Sequence, residues 1–189
     1  TVARYTDNYI LMISGSKIFS YAGQRIAIAA VSDKLYPRHY PALKRRYGMG
    51  RLGDAYVLTF LYAASSGTSH SAQHALAAMF RAAADGQLDF VGETSEYARR
   101  ARLTKEIFRR HGFRIVYDKD QDETVSDGFF YTVGYGGLSS AELLCELLLY
   151  GICAISLTST GSRQPGIRVC VSQLNRPEQF ELLETRLTA

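Results

Sequence analysis

Ser14, Ser16, Lys17 and Arg25 have the types and spacing that phosphate chemistry uses. They stand in Ser14-Gly15-Ser16-Lys17 and Gly23-Gln24-Arg25, with serines three residues and one residue before the lysine and the arginine eight after it. A lysine in a small polar turn just after a strand projects toward a cleft. Two cations and two hydroxyls around one point suit a phosphate ester. A lysine beside another cation and partly desolvated has its pKa lowered, which a Schiff-base amine requires. Spacing alone leaves a surface lysine and a structural arginine as the plainer account. Arg168, in Gly166-Ile167-Arg168-Val169-Cys170-Val171-Ser172, is a second candidate: a guanidinium fork for a carboxylate, or simply an edge-strand charge.

The elements around these residues follow from pattern. Tyr9 to Ile13 reads as a strand ending in the Ser14–Ser16 turn, and Arg25 to Val31 as a second strand bounded by Gly23 and Asp33. From Ser71 to Ala84, apolar residues recur on one helical face (Ala72, Ala75, Leu76, Met79, Phe80, Ala83), with Gly86 as the stop. A longer helix is predicted from about Phe90 to His111, with Arg109, Arg110 and His111 favouring its C-terminal dipole and Gly112 ending it. Four short strands follow, at Phe113–Tyr117, Gly128–Val133, Ile152–Leu157 and Ile167–Val171. Two helices are interleaved, each with an expected capping box: Ser139 with Glu142 before Leu143–Tyr150, and Asn175 with Glu178 before Phe180–Leu187. The fold class is α/β, with a compact α/β sandwich from near residue 87.

Composition narrows the function classes. At 189 residues, with 47% apolar and 21% charged, the chain has the balance of a globular protein with a core. No apolar run reaches the roughly 18 residues of a membrane span, and no basic stretch followed by an apolar core marks a secretory leader. A net charge of +4 does not by itself imply nucleic acid. Two basic stretches, Lys34–Arg51 and Arg99–Arg114, and the acidic run Asp118–Asp127 read as solvated helix faces and a polar hairpin loop. Cys145, Cys153 and Cys170, without CxxC spacing, read as reduced core thiols of a cytosolic protein.

The run Ile13 to Ile26 resembles the cofactor-lysine segment of class I/II (fold type I) pyridoxal-phosphate aminotransferases. The resemblance implies that Lys17 carries the cofactor and later shuttles the proton, and that Ser14 and Arg25 bind the cofactor phosphate. Ser16 occupies a small-residue position of the cofactor-binding motif. Ser66-Gly67-Thr68-Ser69-His70-Ser71-Ala72-Gln73 is similar to the family's Ser-Asn-Pro-type loop, without the Asn and Pro. The Gly166–Ser172 stretch resembles the strand whose arginine clamps the substrate α-carboxylate, the role implied for Arg168.

Together these imply the C-terminal portion of such an enzyme. Residues 1–86 would be the end of the large pyridoxal-phosphate-binding domain, and 87–189 a long linking helix and small C-terminal domain of the PLP transferase type. The ring-stacking aromatic and the acid that protonates the ring nitrogen belong upstream of the lysine strand in the family, and only 16 residues precede Lys17. The expectation is therefore a fragment inactive alone. As a complete protein it would be a cytoplasmic homodimer of amino acid metabolism, with amino acid and 2-oxo acid substrates and no metal, nucleic acid or membrane partner. The alternatives are a β-decarboxylase or C–S lyase on the same scaffold, and a non-catalytic sensor or dimerisation domain.

Two other patterns point elsewhere. Gly48-Met49-Gly50-Arg51-Leu52-Gly53 is literally GxGxxG but follows a basic segment rather than an apolar strand, which argues against a dinucleotide turn. His70 and His74 have zinc-ligand spacing on a helix but no evident third ligand.

Overall fold

The structure is a computed structural model describing residues 2–125 and 128–189; Thr1, Ser126 and Asp127, the last acid of the expected polar loop, lie outside the described residues. The chain is mixed α/β and divides into two compact units, Thr1–Phe90 and Val91–Ala189.

In the first unit, β1 (Ile10–Ser14) and β2 (Ala27–Val31) form an antiparallel ribbon, paired from Ile10 opposite Val31 to Ser14 opposite Ala27. β1 ends where the Ser14 side chain turns inward and caps α1 (Gly15–Ile18). α5 (His70–Ala84) follows the predicted periodicity, and its Ala72 and Leu76 pack with Ile26 into the core of this unit. Phe19, just after α1, meets Phe80 edge to face at 5.0 Å and Phe90 at 5.6 Å. These aromatic contacts tie the Lys17 turn to α5 and to the residue that ends the unit.

Helical structure between β2 and α5 carried no clear signal in the sequence. α2 (Pro41–Tyr47) begins on Pro41, whose fixed φ suits a first turn, and ends on left-handed Gly48. α3 (Leu52–Ala55) runs through a π-helical stretch (Tyr56–Leu61) into α4 (Tyr62–Ser65). That segment is apolar on every side, with Val57, Leu58, Leu61 and Tyr62 exposed, so it shows no helical period.

In the second unit, α6 (Phe90–Arg110), α7 (Ser140–Leu149) and α8 (Pro177–Thr188) accompany a four-stranded antiparallel sheet. Its strands are β3 (Arg114–Ile115), β6 (Phe130–Gly134), β8 (Ile167–Cys170) and β7 (Ile155–Ser156), in the order β3-β6-β8-β7. A separate two-residue hairpin, β4 (Lys119–Asp120) with β5 (Glu123–Thr124), forms the polar loop. Tyr131, Val133, Ile167 and Val171 pack with Phe108, Leu143 and Leu147 in the core, so one sheet face is buried under the helices. No described helix is long and apolar enough to cross a membrane.

The capping box at α7 forms as expected: Ser139 N donates to Glu142 Oε2 at 2.9 Å, and Glu142 N to Ser139 Oγ at 3.3 Å. The one at α8 does not. Pro177 sets the first turn, Arg176 is the capping position, and Gln179 Oε1 accepts from Asn175 N and Arg176 N at 2.9 and 3.0 Å. The start is thus one residue later than Asn175 suggests, and Gln179, not Glu178, reaches back.

The cysteine reading is also corrected, because Cys145, Cys153 and Cys170 are all exposed rather than in the core. In β8 the apolar neighbours Ile167 and Val171 are buried, whereas Cys170 alternates with them onto the other face. An apolar run on a strand buries only every second side chain.

The arginine-rich α6 is satisfied within its own unit. Glu96 accepts from Arg99 and Arg100, Arg109 pairs with Asp118 at 3.2 Å, and Arg110 pairs with Glu184, which also meets His111 Nε2 at 3.0 Å. In the GxGxxG run Gly48 ends α2 in the left-handed region, and the other two glycines serve packing. A Cβ on Gly50 would collide with the His39 ring, and one on Gly53 with the Tyr36 ring.

Candidate functional site

The ribbon brings the first set of candidates to one end. Ser14 closes β1 opposite Ala27, and Gly15 N continues the ladder by donating to Ile26 O at 3.2 Å. The turn carrying Ser16 and Lys17 and the loop carrying Arg25 therefore emerge side by side from the same end. Arg25 precedes β2 rather than lying in it, contrary to the expected strand start.

Ser14 Oγ accepts from Ser16 N at 3.3 Å, which closes the turn and leaves the hydroxyl proton to donate outward. Ser14, Lys17 and Arg25 are exposed and Ser16 is half-buried. Arg25 holds a left-handed backbone at φ 52° and ψ 49°, a conformation that costs a side-chain-bearing residue about 1–2 kcal/mol. A glycine would fit there without strain, and Ser20, Ser66 and Gln121 adopt the same left-handed region. Arg25 Nη1 donates to Ala22 O at 2.8 Å, which anchors one edge of the fork and leaves N–H groups for an anion.

The loop before α5 has a structural duty. Ser66 is left-handed at φ 53°, Ser69 Oγ accepts from Ala72 N at 3.5 Å as the helix cap, and Gln73 Nε2 donates to Thr68 O at 2.9 Å.

In the second unit Arg168 lies mid-sheet, opposite Thr132 on β6 and Ile155 on β7. It alternates with Ile167 and so faces away from the helix-covered core. Its guanidinium stands 4.3 Å from the centre of the Phe130 ring, a cation–π contact that orients the fork. A cavity of about 500 Å³ at the β7 edge of the sheet is lined by Arg168, Phe130 and Ile155 together with the core residue Phe108 and with Leu183 and Arg186 of α8. Arg186 is committed elsewhere, donating to Gly151 O at 2.7 Å. Phe130 was not legible as a site residue, since only the strand register puts it beside Arg168. Cys153 and Cys170 line the same cavity and were likewise missed, because their apolar surroundings suggest a core.

Known proteins share this arrangement of elements. The family described as aminotransferase class I and II matches residues 1–185. Among solved structures, the chain is similar to LysN, an α-aminoadipate aminotransferase from Thermus thermophilus complexed with N-(5'-phosphopyridoxyl)-L-leucine. The identity is 19% and the TM-score 0.61, over 95% of this chain and 41% of that one. It is also similar to the L-threonine-O-3-phosphate decarboxylase of Porphyromonas gingivalis, at 16% identity and TM-score 0.56, over 98% of this chain and 47% of that one. The chain thus spans less than half the length of either structure. No curated protein matches it.

Proposed function

Because the chain belongs to the aminotransferase class I and II family, we propose that it is the lysine-bearing and carboxylate-binding part of a transaminase acting on an amino acid and a 2-oxo acid. The observation that carries this reading is the ribbon end, where Ser14, Ser16, Lys17 and a strained Arg25 emerge together. Pyridoxal phosphate is the cofactor of the family, and when bound it supplies a carbonyl for amine exchange and an electron sink for the substrate α-carbon.

The donor set fits that group. The Ser14 hydroxyl and the outward N–H groups of Arg25 hold the dianionic phosphate, with Ser16 keeping the turn small and closed. Lys17 Nζ is the attachment point. Its amine would take up the proton leaving the substrate α-carbon and hold it as an ammonium until it is returned. Arg168 receives the α-carboxylate in a two-pronged hydrogen bond, and the Phe130 ring shields one face of the guanidinium from water.

In this reading residues 1–86 end the large domain, α6 is the linking helix, and the sheet with α7 and α8 is the small C-terminal domain of a cytoplasmic homodimer. The chain covers 41% of the LysN chain, so in this reading the ring-stacking and ring-protonating groups lie outside these 189 residues, which alone should show no turnover.

The test is an amino-exchange assay on the whole protein with a panel of amino acids and 2-oxo acids, recording keto-acid formation, CO2 and sulfide separately. Keto acid should form without CO2 or sulfide, and Lys17→Ala should lower turnover by about a thousandfold or more. CO2 or sulfide as the main product would put the decarboxylase or lyase in its place, and undiminished Lys17→Ala turnover would remove Lys17 from the chemistry.

A further inference from the structure

We propose that Cys153 and Cys170 form a reversible disulfide site on the exposed side of the second unit's sheet, next to Arg168 and driven by a hydroperoxide oxidant. The β7–β8 ladder runs Ser156 opposite Ile167 and Ile155 opposite Arg168, and the same register carried two residues further sets Cys153 opposite Cys170. Leu157 N donates to Gly166 O at 2.8 Å, which fixes the hydrogen-bonded class of the ladder. By alternation Cys153 and Cys170 fall in that same class, where facing Cα atoms lie about 5.5 Å apart. That separation is inside the Cα range of about 4.4–6.8 Å that a disulfide spans, and closing the bond draws the Cβ atoms of this wider class inward to about 3.8 Å.

Two independent observations agree with the register. Both thiols are free and exposed, and both line one cavity together with Arg168. In the structure Cys170 Sγ rests 3.1 Å from Ser172 Oγ, and the ladder stops at Ile155. Closing the bond extends the β7–β8 ladder by two residue pairs, lengthening β7 back to Cys153, and stiffens the strand that carries Arg168.

The chemistry balances with peroxide as the electron acceptor. One thiolate attacks a peroxide oxygen, the O–O bond breaks, and hydroxide leaves a sulfenic acid on sulfur. The second thiolate attacks that sulfur, the S–S bond forms, the S–O bond breaks, and the departing hydroxide takes up a proton. Two thiols and one hydrogen peroxide become one disulfide and two waters.

Cys145 provides an internal control. It is eight residues from Cys153, whereas Cys170 is seventeen from it. Without native register the shorter Cys145–Cys153 loop closes more readily. The experiment treats the chain with equimolar hydrogen peroxide in native buffer, blocks residual thiols with iodoacetamide, and maps the linked peptides by mass. The linked Cys153–Cys170 peptides should weigh two hydrogens less than the two reduced peptides together, with Cys145 alkylated and the link undone by dithiothreitol. Cys170→Ser should abolish the link, and Cys145→Ser should leave it intact. A dominant Cys145–Cys153 link, or sulfinic acids at separate positions with no cross-link, would overturn the proposal. The outcome does not depend on the cofactor or on turnover.

Discussion

The amide of Gly15 donates to the carbonyl of Ile26 at 3.2 Å, locking the first residue of the Lys17 turn to the residue after Arg25. That bond joins into one corner two segments eleven residues apart at the end of the hairpin. Gly15 is buried there, and a Cβ on it would stand 3.4 Å from both Ile26 O and Leu76 Cδ1.

Gly15→Val should therefore lower stability by about 1–3 kcal/mol, as added methyls force Leu76 and the turn apart. Urea denaturation followed by circular dichroism measures it. An unchanged midpoint would show that the corner is looser than the contacts imply.

A sharper effect is expected at Gly166, two residues before Arg168. Its φ of +147° suits only glycine, and a Cβ there would collide with the Val133 carbonyl oxygen. Gly166→Ala should destabilise the second unit by about 2 kcal/mol or more. Thermal unfolding reads the shift, and wild-type stability would contradict this strand register.

The acid limb of stability should come from the second unit. Hydrogen bonds from Arg99 and then Arg100 hold Glu96 down to about 2, and Arg110 followed by His111 holds Glu184 below the usual carboxylate range. Both carboxyls have lower pKa values folded than unfolded. Their contribution is complete above the unfolded value and is lost as pH falls through the folded one. Stability should decline as pH drops from about 4.5 toward about 2. The effect is modest, because the pairs are solvent-exposed. Melting curves of wild type and Glu184→Gln between pH 7 and 2 test this: the variant should lose less. Equal acid sensitivity would exclude the Arg110–Glu184–His111 cluster as a cause.

Arg25 should govern cofactor affinity rather than folding. Its guanidinium already anchors on Ala22 O, and its strained backbone is relieved by glycine. Arg25→Gly should keep or raise stability while weakening pyridoxal-phosphate binding in the whole protein about 10- to 100-fold, the worth of a charged hydrogen bond. A cofactor absorbance titration is the readout, and unchanged affinity would assign the phosphate to other groups.

Local rules made much of this fold legible. α5 showed an unbroken apolar face, Ser139 and Glu142 announced α7, and β1 and β2 were bounded by small or polar turn residues. The helices between residues 41 and 65 escaped because α2 is marked by little beyond Pro41 and Gly48, and 56–65 is apolar all round. Cys170 was misplaced because an apolar run on a one-sided sheet says nothing about which alternate residues face out, and Cys145 lies on the exposed side of the apolar helix α7. Ser14, Ser16, Lys17, Arg25 and Arg168 were candidates by type and spacing, and the family resemblance rather than spacing singled them out. The hydrogen bond that joins Gly15 to Ile26 and the Phe130 ring beside Arg168 are long-range consequences of register, which no local pattern encodes.

The role proposed for Lys17 is that of the lysine to which pyridoxal phosphate attaches. The direct measurement is to incubate the whole protein with pyridoxal phosphate, reduce it with borohydride, and locate the modified peptide by mass. The account predicts a stoichiometric label confined to Lys17, lost in Lys17→Ala and weakened in Arg25→Gly. Label scattered over surface lysines, or none at all, would contradict it.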